Sequence, residues 1–128
     1  MSYYHSKIIN KNFEDAISGV TEALKKEGFG VLSQINMAEK LKEKLGVDFH
    51  KYMIIGACNP PLAYKALQTD DKTGVMLPCN VIVQEKGPGQ TEVAAIDPIA
   101  TMSAIGNAAL ESIAAEVSEK LQRVVFSL

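Results

Sequence analysis

Two cysteines, Cys58 and Cys79, are the side chains of this sequence best suited to chemistry. Each is followed by an asparagine, so the dipeptide Cys-Asn occurs twice, with Asn59 and Asn80 as the second residues. Cys58 stands where a strand is expected to end and a helix to begin at the following prolines. Unpaired amides and the helix dipole at such a place favour a thiolate. These four residues form a candidate thiol or ligand site.

Three interpretations of the cysteines stay open. Free cysteine is among the most buried residue types, so the favoured interpretation is that both are small packing residues. The second is a redox or sulfur-handling pair, which requires the two thiols to approach each other across neighbouring strands. The third is a metal site completed by His5 or His50. Because the spacing matches no familiar zinc pattern, we assign no metal site.

Other polar residues have structural explanations. Asn12 and Asp97 each precede a predicted helix, and we interpret both as helix caps. A pocket for an apolar or planar ligand is a further possibility, offered by four tyrosines: Tyr3, Tyr4, Tyr52 and Tyr64. The sequence has no glycine-rich phosphate loop after a strand, no serine nucleophile elbow and no paired-histidine zinc helix. No cofactor, catalytic residue or reaction can be assigned.

Hydrophobic periodicity predicts the elements that position these residues. The predicted strands are 3–9, 29–35, 49–57 (placed centrally), 75–85 and 91–96, and the predicted helices are 12–28, 37–46, 61–68 and 98–121. Residues 69–74 are predicted to be a polar turn, and Gly106-Asn107 to bend or split the last helix. The fold class is therefore α+β: a five-stranded, mainly antiparallel sheet carries its two longer helices on one face, with short helices between strands.

Composition limits the classes of function. The 128 residues suit a single domain, 1–128, and 47% hydrophobic with 22% charged residues is typical of a globular core. A net charge of −2 with interleaved acidic and basic residues gives no reason to bind nucleic acid. The sequence contains no apolar run of the roughly 20 residues that span a bilayer, and it starts without a secretory signal. We expect a cytoplasmic protein with no membrane partner and with reduced thiols.

Six short strings form a distinctive set, at residues 29–32, 42–46, 56–60, 62–64, 77–81 and 95–98. Together they resemble the uncharacterised bacterial and archaeal family called domain of unknown function 302, and the resemblance covers roughly residues 13–124. It implies a TATA-binding-protein-like fold, with one helix and one strand leading into an antiparallel sheet closed by a long helix. It also implies a homodimer. It brings no established activity, cofactor or catalytic residue.

We therefore expect a noncatalytic, dimeric protein that binds a small ligand in the groove between the sheet and the long helix, with Cys58 and Cys79 near the rim. Two alternatives remain. One is a thiol-dependent redox, sulfur-handling or soft-metal-binding protein that uses the two cysteines. The other is a purely structural interaction module.

Overall fold

The computed structural model describes residues 2–128, in which strands and helices alternate along most of the chain. The strands are β1 (Tyr4–Ile9), β2 (Gly30–Asn36), β3 (Tyr52–Cys58), β4 (Cys79–Gly87) and β5 (Gln90–Ile96). The helices are α1 (Phe13–Lys26), α2 (Met37–Leu45), α3 (Pro60–Thr69), α4 (Pro98–Met102) and α5 (Ala108–Phe126). Short 3-10 helices cover Asp71–Met76 and Ser103–Ile105.

The five strands form one sheet in the order β1-β5-β4-β3-β2, and every neighbouring pair is antiparallel. The predicted α+β class with a five-stranded antiparallel sheet is thereby confirmed. β3, predicted as a central strand, is an interior strand between β4 and β2, and β4 lies in the middle of the sheet. The strand predicted at residues 49–57 begins at Tyr52, three residues later than predicted.

α1 and α5 pack on one face of the sheet, which we call the covered face, and the hydrophobic core lies between them. The strands contribute alternate residues to it, among them Ile55, Val81, Val83 and Val93, all fully buried. Thr91 is the polar member of this set, and its hydroxyl donates a 2.8 Å hydrogen bond to the carbonyl of Lys11. Burial of these alternate positions holds the register, because a slip by one residue would reverse every side chain.

Side-chain caps start the helices. The Asn12 side chain accepts a 2.8 Å hydrogen bond from the amide of Asp15, and Asp97 accepts one of 3.0 Å from Ile99. The last helical region is split. Gly106 adopts a left-handed φ of 71°, which favours glycine, and the neighbouring Asn107 caps α5 by accepting from Leu110. The last helical region is thus divided into α4 and α5 at Gly106-Asn107, where the sequence predicted a bend or a split.

Between α3 and β4, the structure differs most from the sequence prediction. Residues 69–74, expected as a polar turn, mostly enter the 3-10 helix Asp71–Met76, which Asp70 caps through the amide of Lys72. Strand β4 then begins at Cys79, four residues later than predicted, because Val75 and Met76 are helical and Pro78 carries no amide to donate to a ladder. Among residues 2–128, no helix is long and apolar enough to cross a membrane.

Candidate functional site

The face of the sheet opposite α1 and α5 carries an apolar surface that these two helices do not cover. Strand alternation and register assign the following side chains to this open face: Tyr4, Ser6, Ile8, Ser33, Ile35, Tyr52, Ile54, Gly56, Asn80, Ile82, Gln84, Glu92, Ala94 and Ile96. Only Glu92 in this set is charged. The uncovered face of an antiparallel sheet is ordinarily polar, so this composition points to a surface that binds something.

A depression of about 390 Å³ lies on the open face, over β5 and β4. Its volume falls in the range of small-molecule sites. Its walls combine aromatic, aliphatic and a few polar side chains, namely Tyr3, Tyr4, Tyr52, Ile82, Ala94, Ile96, Asn80, Gln84 and Glu92. Three of the four tyrosines considered as pocket residues are present, whereas Tyr64 lies outside it on α3. A second depression, of about 440 Å³, shares Asn80 and Ile96 with the first.

A row of hydrogen-bonding groups crosses the open face beside this depression. His50 Nε2 donates to Gln84 Oε1 at 2.8 Å, and Gln84 Nε2 donates to Glu92 Oε1 at the same distance. Lys86 Nζ lies 3.7 Å from Glu92 Oε1 and partly balances its charge. The rings of Phe49 and Tyr52 flank His50. The depression therefore offers polar atoms at one end and an apolar floor. Sequence patterns missed this row, because its members come from a loop and two strands.

The cysteines lie at the other end of the sheet, against the helices. Ala57 is the direct cross-strand partner of Cys79, and Cys58 is the next residue along β3. Both cysteines are free and half-buried, and both line a cavity of about 30 Å³ on the helix side. The structure thus brings the two residues close together, although neither is paired directly with the other in the ladder.

Electrostatics argue against Cys79 as a nucleophile. Desolvation by burial, with a further contribution from the nearby charge of Cys58, raises the pKa of Cys79 from 9.0 to about 11. A thiol with so high a pKa is almost fully protonated at neutral pH, and the thiolate is the reactive form. Cys79 also packs against the core cluster. These properties fit a packing residue better than an exposed redox centre.

The two asparagines of the repeated dipeptide have unlike surroundings. Asn59 caps α3 by accepting from the amide of Leu62 at 3.3 Å, and its Nδ2 donates to the carbonyl of Glu27 at 3.4 Å. This side chain therefore ties the start of α3 to the end of α1. Asn80 is exposed and lines both depressions on the open face. The repeat consequently does not mark one site.

The ligand groove expected between the sheet and the long helix is not observed there. That space holds the core, and the small cavity beside the cysteines has room for about one water molecule. A groove of organic-ligand size fails to form because small residues such as Ala57, Ala66 and Ala114 let the helices pack tightly against the sheet. The larger depressions near Cys79 and Asn80 lie outside this layer.

A serine, a histidine and an aspartate also meet, but without the geometry of a hydrolase. His5 Nε2 lies 3.2 Å from Ser118 Oγ and 3.7 Å from Asp97 Oδ2. A catalytic triad uses different ring nitrogens for the serine and the acid, and here one nitrogen faces both. Ser118 is 1% exposed, which denies access to a substrate. The cluster joins β1, the start of α4 and α5.

Neither histidine lies with the cysteines. His5 contacts Ser118 and Asp97, and His50 contacts Gln84, so the metal site of two cysteines and a histidine does not form. Within residues 2–128, no group of three histidine, cysteine, aspartate or glutamate side chains is arranged to hold a metal ion. A separate depression of about 600 Å³ between α1 and the end of α5 is lined by mixed charges that include the 3.0 Å Glu27–Arg123 pair.

Comparison with known proteins gives a family and a fold without an activity. Residues 5–128 match the family described as "Domain of unknown function DUF302". A crystal structure of an uncharacterised conserved DUF302 protein from Bacillus stearothermophilus is 31% identical, with a TM-score of 0.91 over 98% of both chains. No curated protein matches. With a family match that spans nearly all of its length, the chain belongs to the DUF302 family.

Proposed function

We propose that this chain is a noncatalytic binding protein that holds a small, mainly apolar or planar molecule on the open face of its sheet, with a second copy covering that face. The observation that carries this proposal is the composition of the open face. It has large exposed side chains such as Tyr4, Ile8 and Ile35, which are 43%, 55% and 42% exposed. Its charges are limited to Glu92 and the Lys86 that pairs with it at the rim.

The depression supplies the shape that such a ligand needs. Tyr52, Ile82 and Ala94 offer a flat apolar floor and wall, on which an aromatic or aliphatic molecule buries surface. Asn80, Gln84 and Glu92 provide polar atoms that orient one end of the ligand. Neither a nucleophile nor an activated acid lies among these residues, which favours binding over catalysis.

A second copy of this chain can pack on the open face because the charges of the two faces do not repel each other strongly. Glu92 is already held by Gln84 and Lys86, so two open faces meet without strong repulsion. Five strands about 4.8 Å apart and about six residues long give a sheet of roughly 450 Å². Two such faces approach the roughly 1,000 Å² of the smaller specific interfaces, and the Phe49 segment adds to it. A partner in this position also closes the depression from above.

Light scattering on three proteins tests the assembly. We expect the wild type to be a dimer at micromolar concentration and Ile82→Glu to be a monomer, since Ile82 lies on the central strand of the open face. Leu45→Glu is the matched control, because Leu45 is 69% exposed on α2 and lines neither depression. A monomeric wild type, or equal dissociation in both variants, would contradict the proposal.

Native mass spectrometry of protein taken directly from cells tests the ligand. The wild type is expected to retain an added small-molecule mass that Tyr52→Ala reduces, because this change removes an aromatic wall of the depression. Tyr64→Ala is the control, since Tyr64 is 64% exposed on α3 and lies outside the depression. A wild type that carries no added mass and does not bind an apolar fluorescent dye would show that the ligand part is wrong.

A further inference from the structure

Three sulfur-containing residues line the small cavity between the sheet and the helices. Cys58 ends β3, Cys79 begins β4, and Met102 ends α4, and all three line the cavity of about 30 Å³. Met102 is 5% exposed, so its side chain lies within the protein. The depression proposed for the organic ligand shares none of its lining residues with this cavity.

The cavity limits what can occupy it. A volume of about 30 Å³ admits one small atom or molecule and excludes any organic ligand. A buried water needs two to four polar partners. The side chains around the cavity are apolar apart from the sulfurs and Asn59, and both ends of the Asn59 amide are already engaged, with Leu62 and Glu27. The surroundings therefore favour an ion that binds to sulfur, such as a soft metal ion, over water.

Two thiols and one thioether are the ligand set of a soft monovalent metal. Thiolate and thioether sulfur select Cu(I), which accepts low coordination numbers, whereas structural Zn²⁺ takes four ligands in a tetrahedron. The cavity offers three sulfurs and no histidine or carboxylate. Ala57, the residue before Cys58, pairs with Cys79 in the β3–β4 ladder, so the two cysteines lie on neighbouring strands beside the same cavity.

We propose that Cys58, Cys79 and Met102 form a three-sulfur site for one Cu(I) ion in the cavity between β3, β4 and α4. Binding converts Cu⁺ and two thiols into a dithiolate complex and releases two protons to solvent, while the Met102 thioether adds a neutral bond. Copper stays monovalent throughout, so no electron is transferred. The complex carries one negative charge, and the first turn of the ten-residue helix α3, directly after Cys58, places the positive end of a dipole beside it.

The deciding experiment is an anaerobic titration of the reduced protein with Cu(I) against a coloured Cu(I) chelator. Wild type is expected to withdraw one equivalent of copper. Cys58→Ala and Cys79→Ala should each weaken binding by roughly 100-fold, and Met102→Leu by roughly 10-fold, as expected for loss of a direct ligand. Absence of stoichiometric binding by the wild type would overturn the proposal.

Met102→Leu is the most informative variant, because leucine keeps the volume of methionine and removes only the sulfur. Its matched control is Met53→Leu, since Met53 packs against the same core but does not line the cavity. Equal loss of affinity in both variants would show that packing is responsible, and the proposal would fail. Thermal melting of every metal-free variant verifies that it is folded.

X-ray absorption at the copper edge supplies a second readout. We expect a copper ion surrounded by sulfur alone, with three scatterers in the wild type and two in Met102→Leu. Nitrogen or oxygen neighbours in the wild type would exclude the three-sulfur site. Ile82→Glu, which is designed to disrupt the open face, should bind Cu(I) like the wild type, so failure of one proposal is distinguishable from failure of the other.

Discussion

The two faces of one sheet are built from alternate residues of the same five strands, yet they differ sharply in how closely their side chains are packed. On the covered face, Val81, Val83 and Val93 are fully buried beneath α1 and α5. On the open face, Ile8 and Ile35 remain 55% and 42% exposed. The covered face is explained by folding alone. Folding does not require the open face to be apolar. Its composition therefore has a reason other than folding, which we attribute to binding.

Neighbouring isoleucines of β3 test this contrast most strongly. Ile55 is fully buried on the covered face, so Ile55→Ala should lower the free energy of unfolding by about 3 kcal/mol through lost burial and a cavity. Ile54 points to the open face, and Ile54→Ala should cost about 1 kcal/mol or less. Urea denaturation of both variants at one oligomeric state measures the difference. Equal losses would mean that the two faces are equally packed.

Gly56 offers a test of close packing on the open face itself. A Cβ at this position would lie 2.4 Å from Ser33 Oγ and 2.8 Å from Pro78 Cγ, so Gly56→Ala should destabilise the fold by roughly 2 kcal/mol. Gly30→Ala is the control, because no atom lies within 4 Å of a Cβ there, and its effect should stay within about 0.5 kcal/mol. Chemical denaturation distinguishes the two, and a tolerated Gly56→Ala would show that this corner is loosely packed.

The buried thiol of Cys79 predicts a pH dependence of stability. Burial, reinforced by the charge of Cys58, raises the pKa of Cys79 in the folded state from 9.0 to about 11, so folding favours the neutral thiol. That contribution is complete below pH 9.0 and is lost as pH rises to about 11. Between pH 9.0 and about 11, the free energy of unfolding of Cys58→Ala should fall by roughly 2 kcal/mol more than that of the double variant Cys58→Ala/Cys79→Ala. Because both variants lack Cys58, the difference measures the effect of burial on Cys79 alone. Parallel pH profiles of the two variants would contradict this prediction.

The smallest effect is expected at the rim of the open face. Lys86 is 44% exposed and lies 3.7 Å from Glu92, so Lys86→Gln should change stability by less than about 0.5 kcal/mol. If the proposed assembly is correct, the same change should weaken the dimer at low salt, because Glu92 loses its counter-charge. Light scattering at two ionic strengths measures this. A dimer unchanged at low salt would show that the pair lies outside the contact.

The sequence was sufficient to predict the order of the elements along the chain and an antiparallel sheet, because most strands and both long helices have an apolar stripe with its own period. It was insufficient at residues 69–78. There a 3-10 helix and a proline delay β4, and the apolar Val75 that suggested a strand is 87% exposed. Helix caps such as Asn12 could be predicted from the sequence, since they depend on residues three positions apart.

The candidate site was harder to predict than the fold. Strand pairing brought Cys58 and Cys79 near each other, but the size of the cavity beside them depends on how closely α3, α4 and α5 pack. The open face was not recognised either. Its residues, such as Ile54 and Ile82, are of the same types as core residues, and only the packing of α1 and α5 on the other face distinguishes them.

The irregularity in β2 has a consequence for the edge of the sheet. Pairing with β3 shifts between Val31 and Ser33, so Leu32 is an extra residue that bulges from the ladder and is 67% exposed. β2 is an outer strand, and a straight incoming strand cannot match donors and acceptors on both sides of that bulge. Helix α2 begins directly after Asn36 and ends the edge there. The bulge and the helix therefore disfavour the addition of a further strand along this edge of the sheet.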